Sequence, residues 1–172
     1  MESSLEFSCC KGETMESSLK SNRLTPQMLA KIPFFKEMEK ECLEMLSEKM
    51  QLLNINKGNL IISEGDESKI MYFILEGTVN IFRKNHKGRT EYVYELNDPS
   101  YFGEMSIMDG GPRSASAEAQ TNVVLAELKW DDIRNLFEDK PEIMCYLFKN
   151  IGSVLSMRLR RANSLRWRLT RV

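Results

Sequence analysis

Residues Gln51–Lys84 read QLLNINKGNLIISEGDESKIMYFILEGTVNIFRK, and the punctuation of this stretch decides the fold class. Leu60-Ile61-Ile62 is an apolar run that ends at Glu64-Gly65-Asp66. Met71-Tyr72-Phe73-Ile74-Leu75 ends in the same way at Glu76-Gly77. Val79, Ile81 and Arg83 then alternate with Asn80, Phe82 and Lys84. Each run is of strand length and is bounded by glycine, asparagine or acidic residues that favour turns. Further along, a turn at Asn85–Gly88 leads to Tyr92-Val93-Tyr94, and Val123-Val124-Leu125-Ala126-Glu127-Leu128 closes the series. Short strands at spacings of roughly 8–12 residues predict a sandwich or barrel.

Helical patterns flank this region. Thr25 before Pro26 reads as an N-cap with proline in the first helical position. Leu29 and Ile32 precede Pro33, and Leu43, Leu46 and Met50 line one face of a second helix. After Trp130, Asp131 and Asp132 open another helix, where negative charge suits the helix dipole. Lys140-Pro141 starts a long one. Its apolar positions are Phe148, Ile151, Leu155, Ala162, Leu165, Leu169 and Val172, spaced alternately by three and four, with a break at Arg158. That spacing is a coiled-coil seam and predicts a homodimer through the C-terminal helix. Against this stands a helix whose first half packs on the body while its second half frays.

The chain has 172 residues, 42% of them apolar, which suits one domain with appendages. The expected organisation is a tail over 1–24, a β-domain with its N-terminal helices over 25–142, and the long helix over 143–172. The tail is polar and repeats Met-Glu-Ser-Ser-Leu at Met1 and Met15, too little for a structural repeat. Net charge is −1, but residues 1–142 carry 17 basic and 25 acidic residues. Beyond Glu142 there are seven basic residues and no acidic one. This asymmetry suits either an acidic or nucleic-acid partner or a solvated helix face.

Cys9, Cys10, Cys42 and Cys145 form no CxxC pair, and His86 is the sole histidine, so neither a disulfide framework nor a zinc site is expected. A reduced, cytoplasmic location is expected, with no membrane span and no export signal. No Cys–His pair, GxSxG, Walker-type loop or metal cluster occurs, so the expectation is a binding protein and not an enzyme.

The chemistry concentrates in FGEMSIMDGGPRSASAEA, from Phe102 onward. Gly103 lets backbone approach a ligand closely. Residues 104–108 can form one helical turn whose N-terminal amides favour an anion. Arg113, positioned after Gly110-Gly111-Pro112, offers a planar fork suited to phosphate, and Ser114 adds a hydroxyl. Glu104 only accepts hydrogen bonds when ionised, which suits a sugar hydroxyl and not a phosphate. An anion grip beside a hydroxyl acceptor describes a ribose phosphate of low charge. Arg113 paired simply with Glu104 remains the structural alternative.

This run resembles the phosphate-binding cassette of the cyclic-nucleotide-binding domain family, which includes bacterial catabolite activators and regulatory subunits of cyclic-AMP-dependent kinases. Ile32-Pro33-Phe34-Phe35, the Ile61–Asp66 turn, Tyr72–Val79 and Val124–Leu128 are similar as well, so the resemblance spans roughly 26–170. The fold it implies is mainly β with flanking helices: an antiparallel jelly-roll β-barrel (double-stranded β-helix) with N-terminal helices and a long C-terminal helix. By this resemblance the ligand is cyclic AMP, with cyclic GMP also open. Glu104 would accept from the ribose 2′-hydroxyl and Arg113 would pair with the cyclic phosphate. Gly103, Met105 and Ser114 would supply further contacts, and Ile81 and Val93 would line the base pocket. Arg158, on the helix that caps the base in the family, would stack on or hydrogen-bond the purine; a solvent-reaching arginine is the alternative.

Two departures stand out. Asn97-Asp98-Pro99-Ser100 replaces the family's usual Gly-Asp turn and predicts an altered loop. No helix-turn-helix follows the long helix, so specific DNA binding is not expected. The resulting function is a regulatory sensor that passes its signal through the C-terminal helix to an unidentified downstream protein. Two other readings compete: a protein-interaction module on the same fold without nucleotide, and salt-dependent nonspecific nucleic-acid binding by the basic tail.

Overall fold

The computed structural model describes residues 23–85 and 87–169, without the side chains of Phe137, Arg161 and residues 165–169. Residues 1–22 of the expected tail with Cys9 and Cys10, His86, the side chains of Leu165 and Leu169, and Val172 therefore lie outside the described residues.

Thr25 caps α1 (Pro26–Ala30), its hydroxyl accepting from the Met28 amide at 3.4 Å. A 3-10 turn (Pro33–Phe35) and α2 (Lys40–Lys49) follow. Eight strands come next: β1 (Gln51–Ile55), β2 (Leu60–Ile62), β3 (Ile70–Glu76), β4 (Thr78–Lys84), β5 (Thr90–Asn97), β6 (Ser100–Phe102), β7 (Ser116–Ala119) and β8 (Val123–Lys129). The short helix α3 (Met105–Met108) separates β6 from β7. The chain ends in α4 (Trp130–Asp139) and α5 (Pro141–Leu169).

The strands form two antiparallel four-stranded sheets, ordered β1-β8-β3-β6 and β2-β7-β4-β5. This is the expected mainly-β architecture between N-terminal helices and a long C-terminal helix. β3 explains how the layers meet. Its side chains alternate, so Tyr72 and Ile74 enter the core shared by both sheets, with Val79, Ile81, Phe102 and Leu125. Met71, Phe73 and Leu75 face the other way, into a second core with Leu29, Leu43, Leu46 and Ile143 from the helices and Ile32 from the turn after α1. A strand buried on both faces reads as an unbroken apolar run, as Met71–Leu75 does. Phe73 is fully buried among the rings of Phe34, Phe35 and Tyr101, with centroids 4.7–5.9 Å away.

The turn from β3 to β4 requires glycine. Gly77 has φ +94°, and a Cβ there would lie 2.5 Å from the Asn122 carbonyl oxygen. The Asn97–Ser100 loop folds back on this turn: Asp98 bonds the Gly77 amide through its carboxylate and the Gly77 carbonyl through its own amide. The Asp98–Pro99 peptide is cis.

α5 buries Ile143, Leu147 and Ile151, a spacing of four, while Leu155 packs only partly and Ala162 is exposed. Cys42 is buried in α2 and Cys145 is exposed on α5. Among the described residues no helix is long and apolar enough to cross a membrane.

Candidate functional site

β6 delivers the chain into the site. Its last residue, Phe102, stacks on Tyr72 with centroids 5.2 Å apart. At Gly103 the backbone turns with φ +82°, and a Cβ there would lie 2.7 Å from the Ile70 carbonyl oxygen and 2.8 Å from Arg113 Nη1. Only glycine lets both partners approach so closely. α3 follows with Glu104 at its N-cap, the Glu104 carbonyl accepting from the Ile107 and Met108 amides at 3.2 Å.

Arg113 returns the chain to the same place. Its amide donates to the Asp66 carbonyl at 2.7 Å, and its carbonyl accepts from the Gly65 amide at 2.9 Å. Those bonds pin it to the loop between β2 and β3. The residue is 4% exposed. Nε donates to Ser68 Oγ at 3.1 Å, and Nη1 donates to the Gly103 carbonyl at 3.0 Å and Ser106 Oγ at 2.9 Å. Nη2 has no hydrogen-bond partner among the described residues. Burial pulls the Arg113 pKa down, opposed by Tyr72, Asp66 and Glu104; arginine stays charged nonetheless. A buried cation with one orphaned NH2 group is suited to an anion.

Glu104 is 2% exposed, one cassette turn from Arg113. Its Oε1 accepts not from Arg113 but from Nη1 of Arg158 on α5. Arg158 Nη2 donates to the Tyr101 carbonyl at 3.3 Å. Its guanidinium carbon also sits 5.4 Å from the Tyr94 ring centroid and 5.9 Å from that of Tyr101, within cation–π range. Burial raises both tyrosine pKa values; Arg158 opposes that rise and Glu104 adds to it.

A cavity of about 50 Å³ lies between these groups. It is lined by Gly103, Glu104, Met105, Ser106, Arg113 and Ser114 from the cassette, with Ile81 from β4 and Tyr94 from β5. Ser114 donates to the Met105 sulfur at 3.4 Å, closing one rim. A larger groove of about 780 Å³ runs along α1, α2 and the start of β1, but none of the buried charged residues lines it.

The structure therefore brings seven of the eight expected residues to one place: Gly103, Glu104, Met105, Arg113, Ser114, Ile81 and Arg158. Val93 is the exception and is corrected to Tyr94. Ile81 pairs with Tyr94 and Phe82 with Tyr92, so a β-bulge leaves Val93 without a partner. Val93 is 50% exposed and does not line the cavity. Ser68, Ser106 and Tyr101 also join the site. Ser106 lies within the cassette and was accessible to sequence reading; Ser68 carries no signal in the sequence, because only the β2–β3 loop conformation brings it to Arg113.

Together, a double-sheeted β-fold and a buried Arg–Glu cassette under a C-terminal helix define a small-ligand regulatory domain. A family profile described as "Cyclic nucleotide-binding domain" matches residues 52–140, and the chain belongs to that family. It is 32% identical over 138 residues to the CRP-like cAMP-activated global transcriptional regulator of Mycobacterium tuberculosis, covering 80% of this chain and 60% of the relative. The chain thus spans about three-fifths of that relative's length. Among solved structures, the catabolite activator protein of Thermus thermophilus superposes with a TM-score of 0.69 at 29% identity, over 80% of this chain and 63% of the other. A cyclic nucleotide-binding domain from Methylobacillus flagellatus superposes with a TM-score of 0.73 at 24% identity, over 86% and 83%, and speaks for the fold alone.

Proposed function

We propose that this chain is a non-catalytic sensor module that binds cyclic AMP in preference to cyclic GMP. The observation that carries the reading is the orphaned Nη2 of Arg113, a buried arginine that lines the same cavity as the buried Glu104. Arg113 takes the cyclic phosphate, since a charged N–H without a partner is costly until an anion supplies one. Glu104 accepts from the ribose 2′-hydroxyl, and Gly103, Met105 and Ser114 complete the grip. Ile81 and Tyr94 flank the base. Arg158 is the group of α5 that reaches the site, so α5 carries the signal, as a homodimer contact or to a downstream protein. The preference for cyclic AMP draws on the "cAMP-activated" relative.

One observation favours a second reading, an interaction module without nucleotide: Glu104 is already engaged by Arg158 and the cavity is small. Titration calorimetry of the purified chain with cyclic AMP, and in parallel with cyclic GMP, separates the two. Micromolar or tighter binding of cyclic AMP, with cyclic GMP weaker, is expected. No heat and no thermal shift with either nucleotide would overturn the first reading and leave the second.

A further inference from the structure

α5 is held to the body unevenly along its length. Its first part is anchored by the buried side chains Ile143, Leu147 and Ile151. Two polar links reinforce it: Asn150 Nδ2 donates to the Phe34 carbonyl at 2.6 Å, and Lys149 pairs with Glu37 at 2.8 Å. Gly152 follows in the helix interior, where an added Cβ would meet nothing within 4 Å. Packing does not require glycine at that point, and glycine weakens a helix. Val154 and Leu155 pack only partly, while Met157 and Leu159 are exposed. Beyond Leu155, Arg158 makes the only hydrogen bonds and ion pair from α5 to the body among the described residues.

Arg158 reaches a built socket. Glu104 neutralises it, the Tyr101 carbonyl accepts from it, and Tyr94 and Tyr101 flank it. The carboxylate in that socket is the same one the proposed site offers to a ribose hydroxyl. The adjoining cavity, about 50 Å³, has room for a water molecule or two and falls well short of the roughly 300–1,000 Å³ of ligand pockets. We infer that Arg158 and Glu104 form a latch that holds the distal part of α5 on the body, and that a nucleotide's ribose competes with Arg158 for Glu104 and so releases the helix beyond Gly152. The second half of this inference rests on the nucleotide reading; the first half does not.

The physical consequence is a loss of apparent affinity. A protein whose binding-competent state is only partly populated binds more weakly by that fraction. Removing Arg158 leaves Glu104 buried without its cation, a state that a ribose hydroxyl relieves. Arg158→Ala therefore tightens binding, opposite in sign to the loss expected if Arg158 grips the purine.

Amide hydrogen exchange on the full chain without nucleotide tests the latch. Arg158→Ala and Glu104→Gln should each speed exchange about tenfold or more across residues 153–160. Residues 143–150 should stay unchanged, and the double variant should exchange no faster than either single one. Unaltered exchange at 153–160 in Arg158→Ala would overturn the latch. Calorimetry with cyclic AMP tests the competition: Arg158→Ala should bind about threefold or more tighter than the parent. Equal or weaker binding would overturn it and return Arg158 to the purine. If neither protein bound cyclic AMP, the nucleotide reading and its competition would fall together, and exchange would still decide the latch.

Discussion

The cassette and the distal part of α5 meet at Glu104, yet they are held in opposite ways. Arg113 sits 4% exposed, with its own amide and carbonyl bonded to Asp66 and Gly65 and its side chain bonded to Ser68, Gly103 and Ser106. Those partners lie in the β2–β3 loop or in the adjacent segment from Gly103 into α3. Arg158 comes from a helix 54 residues downstream of Glu104 and is 27% exposed. One arginine is fixed in the β-body with only its Nη2 group unpartnered among the described residues; the other is a removable contact. The contrast separates the part of the site that is rigid from the part that can move: a group over-determined by many short bonds stays, and a group held by one charge pair, one carbonyl bond and two ring faces can leave.

The largest expected effect lies on the rigid side. Arg113→Ala should weaken cyclic AMP binding ~30-fold or more, because a charge-assisted phosphate contact is worth on the order of 2–4 kcal/mol. Calorimetry that returned less than a threefold change would break the contrast between the two arginines. Next comes the turn that lets Arg113 sit so close. Gly103→Ala places a methyl within 3 Å of the Ile70 carbonyl oxygen and Arg113 Nη1 at a positive φ. It should cost about 1–3 kcal/mol of stability in urea unfolding. An unchanged unfolding midpoint would mean that the cassette is looser than its bonds imply.

The smallest effect sharpens the comparison on the helix side. Tyr94→Ala removes a ring that lines the cavity and flanks Arg158, and should alter cyclic AMP affinity by roughly 3–10-fold, as expected for the loss of about 0.5–1.5 kcal/mol of ring contact. Val93→Ala should change it less than twofold, roughly the limit for a surface substitution. A larger effect at Val93 than at Tyr94 would reverse the assignment drawn from the bulge.

Much of this was legible in advance, for reasons that differ residue by residue. Thr25-Pro26 capped a helix as written, because capping depends on neighbours in the chain. Met71–Leu75 was legible as a strand because five consecutive apolar residues between turns fit a strand buried on both faces. Glu104 and Arg113 were legible because their chemistry is local to one cassette. Val93 was misassigned because alternation presumes a regular ladder, and the bulge at Ile81/Phe82 shifts the register by one residue. The heptad seam was legible as a pattern, but the body claims Ile151 from it, together with Ile143 and Leu147 and part of Leu155, so the first half of the seam is shared with the core. Arg158 was expected to face a purine; the structure pairs it with Glu104, a partner the sequence reading did not foresee.

The chain's own residues were enough to show the succession of apolar runs and turns, the glycines at those turns, and an acceptor and a cation within one cassette. These depend on local sterics and on residue chemistry, which the chain carries wherever it folds. The tertiary structure alone decided that Ser68 bonds Arg113, that Tyr94 and not Val93 faces the cavity, and that Arg158 closes on Glu104. Each of these depends on where distant segments come to lie, and a contact across 54 residues leaves no periodicity or spacing in the sequence to read.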